Sequence, residues 1–158
     1  MRALKLLFGF FCVLLVGCTV PMGKPVGELD STYAGQQLVI YRPADKGGLY
    51  FPGVLNGKAI KSSLTRGSVV IEPLPLGSSN FTVVLPPLQP GSAVKANVLV
   101  LDAKPNERKF VRVRLVSFEE PAVISFLLGP GIGTWTFSVE EVDPVTAAGE
   151  IRNLKFAN

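Results

Sequence analysis

Apolar and polar residues alternate along much of this chain with the two-residue period of a β-strand, and glycines and prolines mark where each run stops. The alternation is clearest over residues 108–118. Val111, Val113 and Leu115 share one face, while Phe110, Arg112, Arg114 and Val116 share the other. Residues 134–142 repeat it, with Trp135, Phe137 and Val139 on one side and Thr134, Thr136, Ser138 and Glu140 on the other. That is the signature of half-buried antiparallel strands. Residues 37–41 form a β-prone run that ends at Arg42-Pro43, because proline has no N–H to give to a ladder. Residues 49–55 and 58–64 flank Asn56-Gly57, a pair that accepts positive φ at both centres of a type I′ turn, so a two-residue hairpin is predicted.

Shorter strands follow at 68–72, 80–85 and 93–101, separated by proline-rich breaks at 73–77 and 86–91. A strand at 122–128 leads through the glycine-rich loop 129–133 into 134–142. Only one helix is predicted. Asp143 supplies an N-cap acceptor and Pro144 suits the first helical position, ahead of one or two turns over 145–151. Residues 154–156 read as a short last strand. The pattern implies an all-β fold, a single antiparallel β-sandwich with at most one short C-terminal helix; a closed barrel is the competitor. The expected core is Leu38, Ile40, Val54, Val70, Val83, Val98, Val111, Val113, Leu115, Trp135, Phe137 and Val139.

The start of the chain follows a different rule. Arg2 and Lys5 precede an uncharged run over 6–16, which ends in Leu15-Val16-Gly17-Cys18. This reads as a signal peptide with a lipobox. The run is too short to cross a bilayer, which takes about 20 residues. Residues 1–17 are therefore expected to be removed and Cys18 to carry diacylglycerol and an amide-linked acyl chain such as palmitate. Thr19 lacks the acidic character that would favour inner-membrane retention, so the expected address is the outer membrane, lipid-anchored and facing the periplasm. Residues 18–35, polar and broken by Pro21 and Pro25, read as a flexible tether to a domain at 36–158; the alternative is that part of the stretch packs along the domain as an irregular arm.

Composition then removes whole classes of chemistry. The chain has no histidine, which excludes Ser-His-Asp triads, Cys-His dyads and histidine-ligated metals. Cys12 leaves with the signal and Cys18 is acylated, so no disulfide, metal site or cofactor is expected. Of 16 basic residues two lie in the signal, leaving 14 against 12 acids. That near-balance lacks the basic footprint of a nucleic-acid binder.

Two surface constellations remain as candidate binding sites. Arg112 and Arg114 lie on one strand face, about 7 Å apart by strand rise, and two guanidiniums there suit a carboxylate, phosphate or anionic glycan. The plainer alternative is a solvated face with Glu140 across from it. Tyr41 and Arg42, with Tyr50 and Phe51, make an aromatic and basic patch if the first two strands are neighbours. Burial of Tyr41 and Phe51 in the core, with Arg42 covering the sheet edge, is the plainer reading there. Glu119-Glu120 and Glu140-Glu141 are paired only in sequence: Glu140 and Glu141, neighbours on a strand, point to opposite faces, and Glu119-Glu120 read as a turn before Pro121. The loop 129–133 is followed by a strand rather than a helix, so it is no phosphate cradle.

Several segments in order carry a family likeness: LVIYRP (38–43), VLNGKAI (54–60) with Leu64 and Gly67 after it, KFVRVRL (109–115) and AAGEIRNLKF (147–156). With the lipobox they resemble a family of small bacterial lipoproteins known as domain of unknown function 2846. The likeness spans most of residues 36–156 and departs from the expected pattern between Leu74 and Val94. It implies a compact sandwich resembling carboxypeptidase regulatory or transthyretin-like domains, within the transthyretin-like or Ig-like class expected here, and brings no catalytic residues. The expected function is that of an envelope lipoprotein, a membrane-tethered binding or scaffolding module for an envelope protein or glycan partner, and not an enzyme. The alternative is a carboxylate-dependent glycan-processing enzyme. It requires two acids among Glu72, Asp102, Glu119 and Glu140 to converge at about 5–9.5 Å.

Overall fold

A computed structural model describes residues 23–29, 33, 35–45, 50–85, 92–120 and 132–157. Among them the chain forms β1 (Gln37–Arg42), β2 (Gly53–Leu55), β3 (Lys58–Ala59), β4 (Ser68–Pro73), β5 (Gly77–Val83), β6 (Ala93–Ala96), β7 (Leu99–Ala103), β8 (Arg108–Glu119), β9 (Thr134–Val142), α1 (Pro144–Ile151) and β10 (Lys155–Phe156). Among the described residues the fold is all-β with one short helix. The expected strand at 122–128 and most of the loop at 129–133 lie outside the described residues, as does Cys18.

The strands form two open sheets. One has six strands in the order β10-β4-β1-β8-β9-β6, the other four in the order β3-β2-β5-β7. Pairing in the larger sheet is mixed, which corrects the expected antiparallel arrangement: β1–β8, β4–β10 and β6–β9 are all parallel. Hairpin signals reveal only neighbours joined by a tight turn. Parallel partners are joined by long crossovers that leave no local signature.

β1 is buried from Leu38 to Arg42 because both faces of its sheet are covered. Leu38 and Ile40 join Phe51, Phe81, Leu101, Val111, Val113, Trp135 and Phe137 in the core shared by the two sheets. Val39 and Tyr41 point the other way, into a second core with Val69, Phe110, Ala147, Ile151 and Leu154. The helix closes that second core. Asp143 caps it by accepting from the N–H groups of Val145 and Thr146 at 3.1 and 3.0 Å, and Pro144 opens it.

Nine of the twelve expected core residues are buried, while Val54 and Leu115 are half-buried. Val98 is 60% exposed. The expected single strand 93–101 is really two. It breaks at Asn97-Val98, where the chain leaves the six-stranded sheet and enters the four-stranded one. The side-chain alternation restarts in a new phase there. The Asn56-Gly57 hairpin forms as expected, with φ of 50° and 77°.

The stretch read as a flexible tether is docked from Gly23. Gly23 N–H donates to Phe156 O at 3.1 Å, Phe156 N–H to Lys24 O at 3.0 Å and Val26 N–H to Leu154 O at 2.9 Å. Pro25 pairs with Lys155 in an antiparallel bridge. Val26 is buried in the second core, with Leu29 packed against it. Scattered prolines and glycines hide this arm, because its anchoring side chains are too few to set up a period.

Candidate functional site

A groove of about 640 Å³ lies between the arm, α1 and the start of β8. Leu29, Phe110 and Ile151 supply apolar wall, and Tyr33, Arg108 and Arg152 rim it. Each wall has its own cause. Phe110 faces outward from the sheet by strand alternation, Ile151 lies on the buried stripe of α1, and Leu29 arrives on the arm. Arg108 donates to Gln37 Oε1 from Nε and Nη2 at 3.1 and 2.9 Å. Its guanidinium lies 3.9 Å from the centre of the Tyr33 ring, a close cation–π contact. The Tyr33 hydroxyl donates to Asn106 O at 3.2 Å, fixing the ring. Glu28 is the one carboxylate among the described residues of the lining.

Arg112 occupies a different place, under the helix. Its Nε donates to Glu140 Oε1 at 2.8 Å, and Nη1 pairs with Glu150 Oε1. Tyr41 donates its hydroxyl to the other Glu150 oxygen at 2.5 Å. Three strands and the helix thus meet in one polar cluster. The two carboxylates hold the Arg112 guanidinium above its ordinary range, with the Glu140 hydrogen bond the largest cause. Burial, and then the bond to Glu150, push the Tyr41 phenol well above the usual 10.0. The cross-strand acid was expected from alternation. Glu150 was not, because nothing in the sequence places the helix over Arg112. Arg114, two residues on, is exposed beside Ser138 and makes no ion pair among the described residues. The two arginines therefore do not form a clamp.

Tyr41 and Arg42 are both fully buried and point to opposite sides of β1, so no surface patch joins them. Arg42 lies within the inter-sheet core, its guanidinium 5.6 and 5.7 Å from the ring centres of Phe51 and Phe137. Nε pairs with Asp45 Oδ1 at 3.3 Å, and Asp45 Oδ2 accepts from Leu115 N–H at 2.9 Å, beside a bulge in β8. Burial draws this arginine down, and Asp45 offsets part of that. Tyr50 is 41% exposed, while Phe51 beside it is in the core.

Two of the four candidate acids are committed to local partners. Glu72 is buried and accepts from Lys61 N–H at 2.8 Å, and Glu140 is held by Arg112. Asp102 and Glu119 are exposed on different sheets. A smaller hollow of about 370 Å³ next to the groove contains Glu107 and Glu141. Lys109 sits between them at 3.2 and 2.9 Å. The backbone N–H of Lys104, then Lys109, holds the Glu107 carboxyl below its usual range, the opposite of what a proton donor needs. No group of three or more metal-ligating side chains occurs among the described residues, and no helix among them is long and apolar enough to cross a membrane.

No family model, curated protein or solved structure matches the chain. The likeness to the lipoproteins of domain of unknown function 2846 therefore rests on its motifs alone.

Proposed function

We propose that this protein is a bacterial envelope lipoprotein, processed after Gly17 and anchored through Cys18. A single β-sandwich module within it acts by binding or scaffolding an envelope protein or glycan, without catalysis of its own. The observation that carries the reading is the groove between the arm and α1. Aromatic and apolar walls rimmed by arginine are the composition of recognition surfaces, where stacking and guanidinium contacts supply orientation. Among the described residues of its lining Glu28 is the single carboxylate, without a second acid for two-acid glycan chemistry. The lipobox and the outer-membrane address rest on Leu15-Val16-Gly17-Cys18 and Thr19.

The test has two parts. Cys18→Ser should yield an unprocessed or detached protein, and unchanged cleavage with unchanged membrane fractionation would remove the lipoprotein reading. A photo-crosslinking side chain at Ala148 in the groove should capture an envelope protein or peptidoglycan fragment that one at Ala93, on the far edge, does not. Equal capture from both positions would remove the groove from the proposal.

A further inference from the structure

The docked arm leaves little chain between Cys18 and the folded body. Gly23 is already bonded to Phe156, so five peptide steps separate it from Cys18, about 17 Å at full extension. A chain free from Cys18 to Gly35 would reach about 60 Å. The segment leading to Cys18 also departs from one defined place, the outer edge of the six-stranded sheet beyond β10.

That edge is basic. Lys24 is exposed on the arm, next to the Pro25–Lys155 bridge. Lys155 follows in β10, and its N–H donates to Gly67 O at 3.0 Å. Arg66, exposed, precedes that glycine in the turn ahead of β4. None of the three forms an ion pair among the described residues. Of the arm's two carboxylates, Glu28 lies past Gly27 on the groove side, and Asp30 is outside the described residues.

We propose that this edge rests on a membrane of anionic phospholipid, with Lys24, Arg66 and Lys155 against the headgroup phosphates and the β6 edge turned away. The proposal rests on Cys18 being lipidated. Two independent features point the same way: the place where the chain leaves the body, and the sign of the charge around it. A short tether keeps these cations near the surface, within reach of a potential that fades over about 8 Å at physiological salt. Each basic residue near an anionic surface is worth roughly a fivefold bias, so three favour the edge-down orientation by about a hundredfold.

The experiment uses the mature, lipidated protein in vesicles of phosphatidylglycerol and phosphatidylethanolamine that carry an energy acceptor on their headgroups. A donor fluorophore is placed at Asn153→Cys, beside β10, or at Ala93→Cys, on β6. The two edges are five strand spacings apart, about 24 Å. Transfer should be strong from position 153 and weak from position 93. The difference should shrink in phosphatidylcholine vesicles, in high salt, and in the Lys24→Glu, Arg66→Glu, Lys155→Glu triple variant. The salt series on the unmodified edge keeps the test intact if that variant does not fold. Mass spectrometry of Cys18 and vesicle flotation are read first. Absence of acyl groups overturns the lipoprotein reading and this proposal with it. Acylated, floating protein with equal transfer from both labels, or a difference indifferent to lipid charge and salt, overturns the orientation alone.

Discussion

The side chain of Asn97 makes to Val139 the two hydrogen bonds that a straight continuation of β6 would have made. Its Nδ2 donates to Val139 O at 2.7 Å, and Val139 N–H donates to its Oδ1 at 2.8 Å. Backbone pairing of β6 with β9 ends at Ala96–Phe137, and the chain then turns into β7 of the other sheet. On the far side, Thr82 Oγ1 donates to Asn97 O at 3.2 Å. One residue thus completes the end of one sheet and ties it to the next.

Asn97→Leu should therefore destabilise by about 1–2 kcal/mol, since it leaves the Val139 N–H and carbonyl without their partners. Asn97→Asp keeps the acceptor but sets a carboxylate oxygen against the Val139 carbonyl, so it should also lose stability despite its equal size. Denaturant midpoints of the three proteins check the order. An aspartate variant as stable as the parent would show that the donor bond contributes nothing.

The cluster of Tyr41, Glu150, Arg112 and Glu140 predicts an alkaline limb. The Tyr41 phenol titrates higher in the folded protein than in the unfolded chain. The unfolded state therefore gives up its proton first, and the stabilisation, fully present below about pH 10, is lost as pH rises past that value. Tyr41→Phe should cost about 1–2 kcal/mol at neutral pH by removing a bond to a carboxylate, and should flatten this limb. Stability measured by denaturant from neutral to strongly alkaline pH reads both effects.

At the acid end, Asp143 works in the opposite direction. Hydrogen bonds from the Thr146 hydroxyl and backbone N–H hold its carboxyl below the usual 3.8. A depressed folded value means that its contribution is present above that pH and is lost as pH falls below it. Asp143→Asn keeps an acceptor without the charge, so helix docking should become less sensitive to acid. Far-ultraviolet dichroism during an acid titration is the measurement.

Glycine substitutions should separate by sign. A Cβ on Gly133 would lie 2.3 Å from the Glu119 carbonyl oxygen, a backbone atom that cannot step aside, so Gly133→Ala should be strongly destabilising. Gly57→Val should cost about 1 kcal/mol or more, because its φ of +77° resists a β-branched residue. Gly149, helical and facing open space, should gain roughly 0.5–1 kcal/mol as alanine. Thermal melting of the three variants tests the series, and a destabilised Gly149→Ala would contradict the open space drawn around it.

What the sequence disclosed follows from how locally each feature is encoded. β8 and β9 alternate over enough residues to be read directly, and Asn56-Gly57 and Asp143-Pro144 carry their geometry in two adjacent residues. The parallel pairing of β1 with β8 joins segments some 70 residues apart and leaves no local mark. The strand at 93–101 reads as one because nothing in Asn97-Val98 resembles a turn, and only the tertiary switch between sheets explains the exposure of Val98. The groove was hidden for a related reason. Tyr33 and Leu29 sit in a stretch with linker composition, and they become a wall only where β10 receives the arm.

That reception also decides how the molecule responds to force. The arm is paired along β10 from Gly23 to Val26, so tension applied ahead of Gly23 and directed away from the sheet edge peels its bonds rather than loading them together in shear. It opens the bond from Gly23 to Phe156 first, then those at Lys24 and Val26 in turn, as a zipper opens from its end. Each freed residue lengthens the leash by about 3.4 Å. The strands of both sheets meanwhile stay packed. Under load the arm is a fuse, yielding in small steps ahead of the body it is attached to.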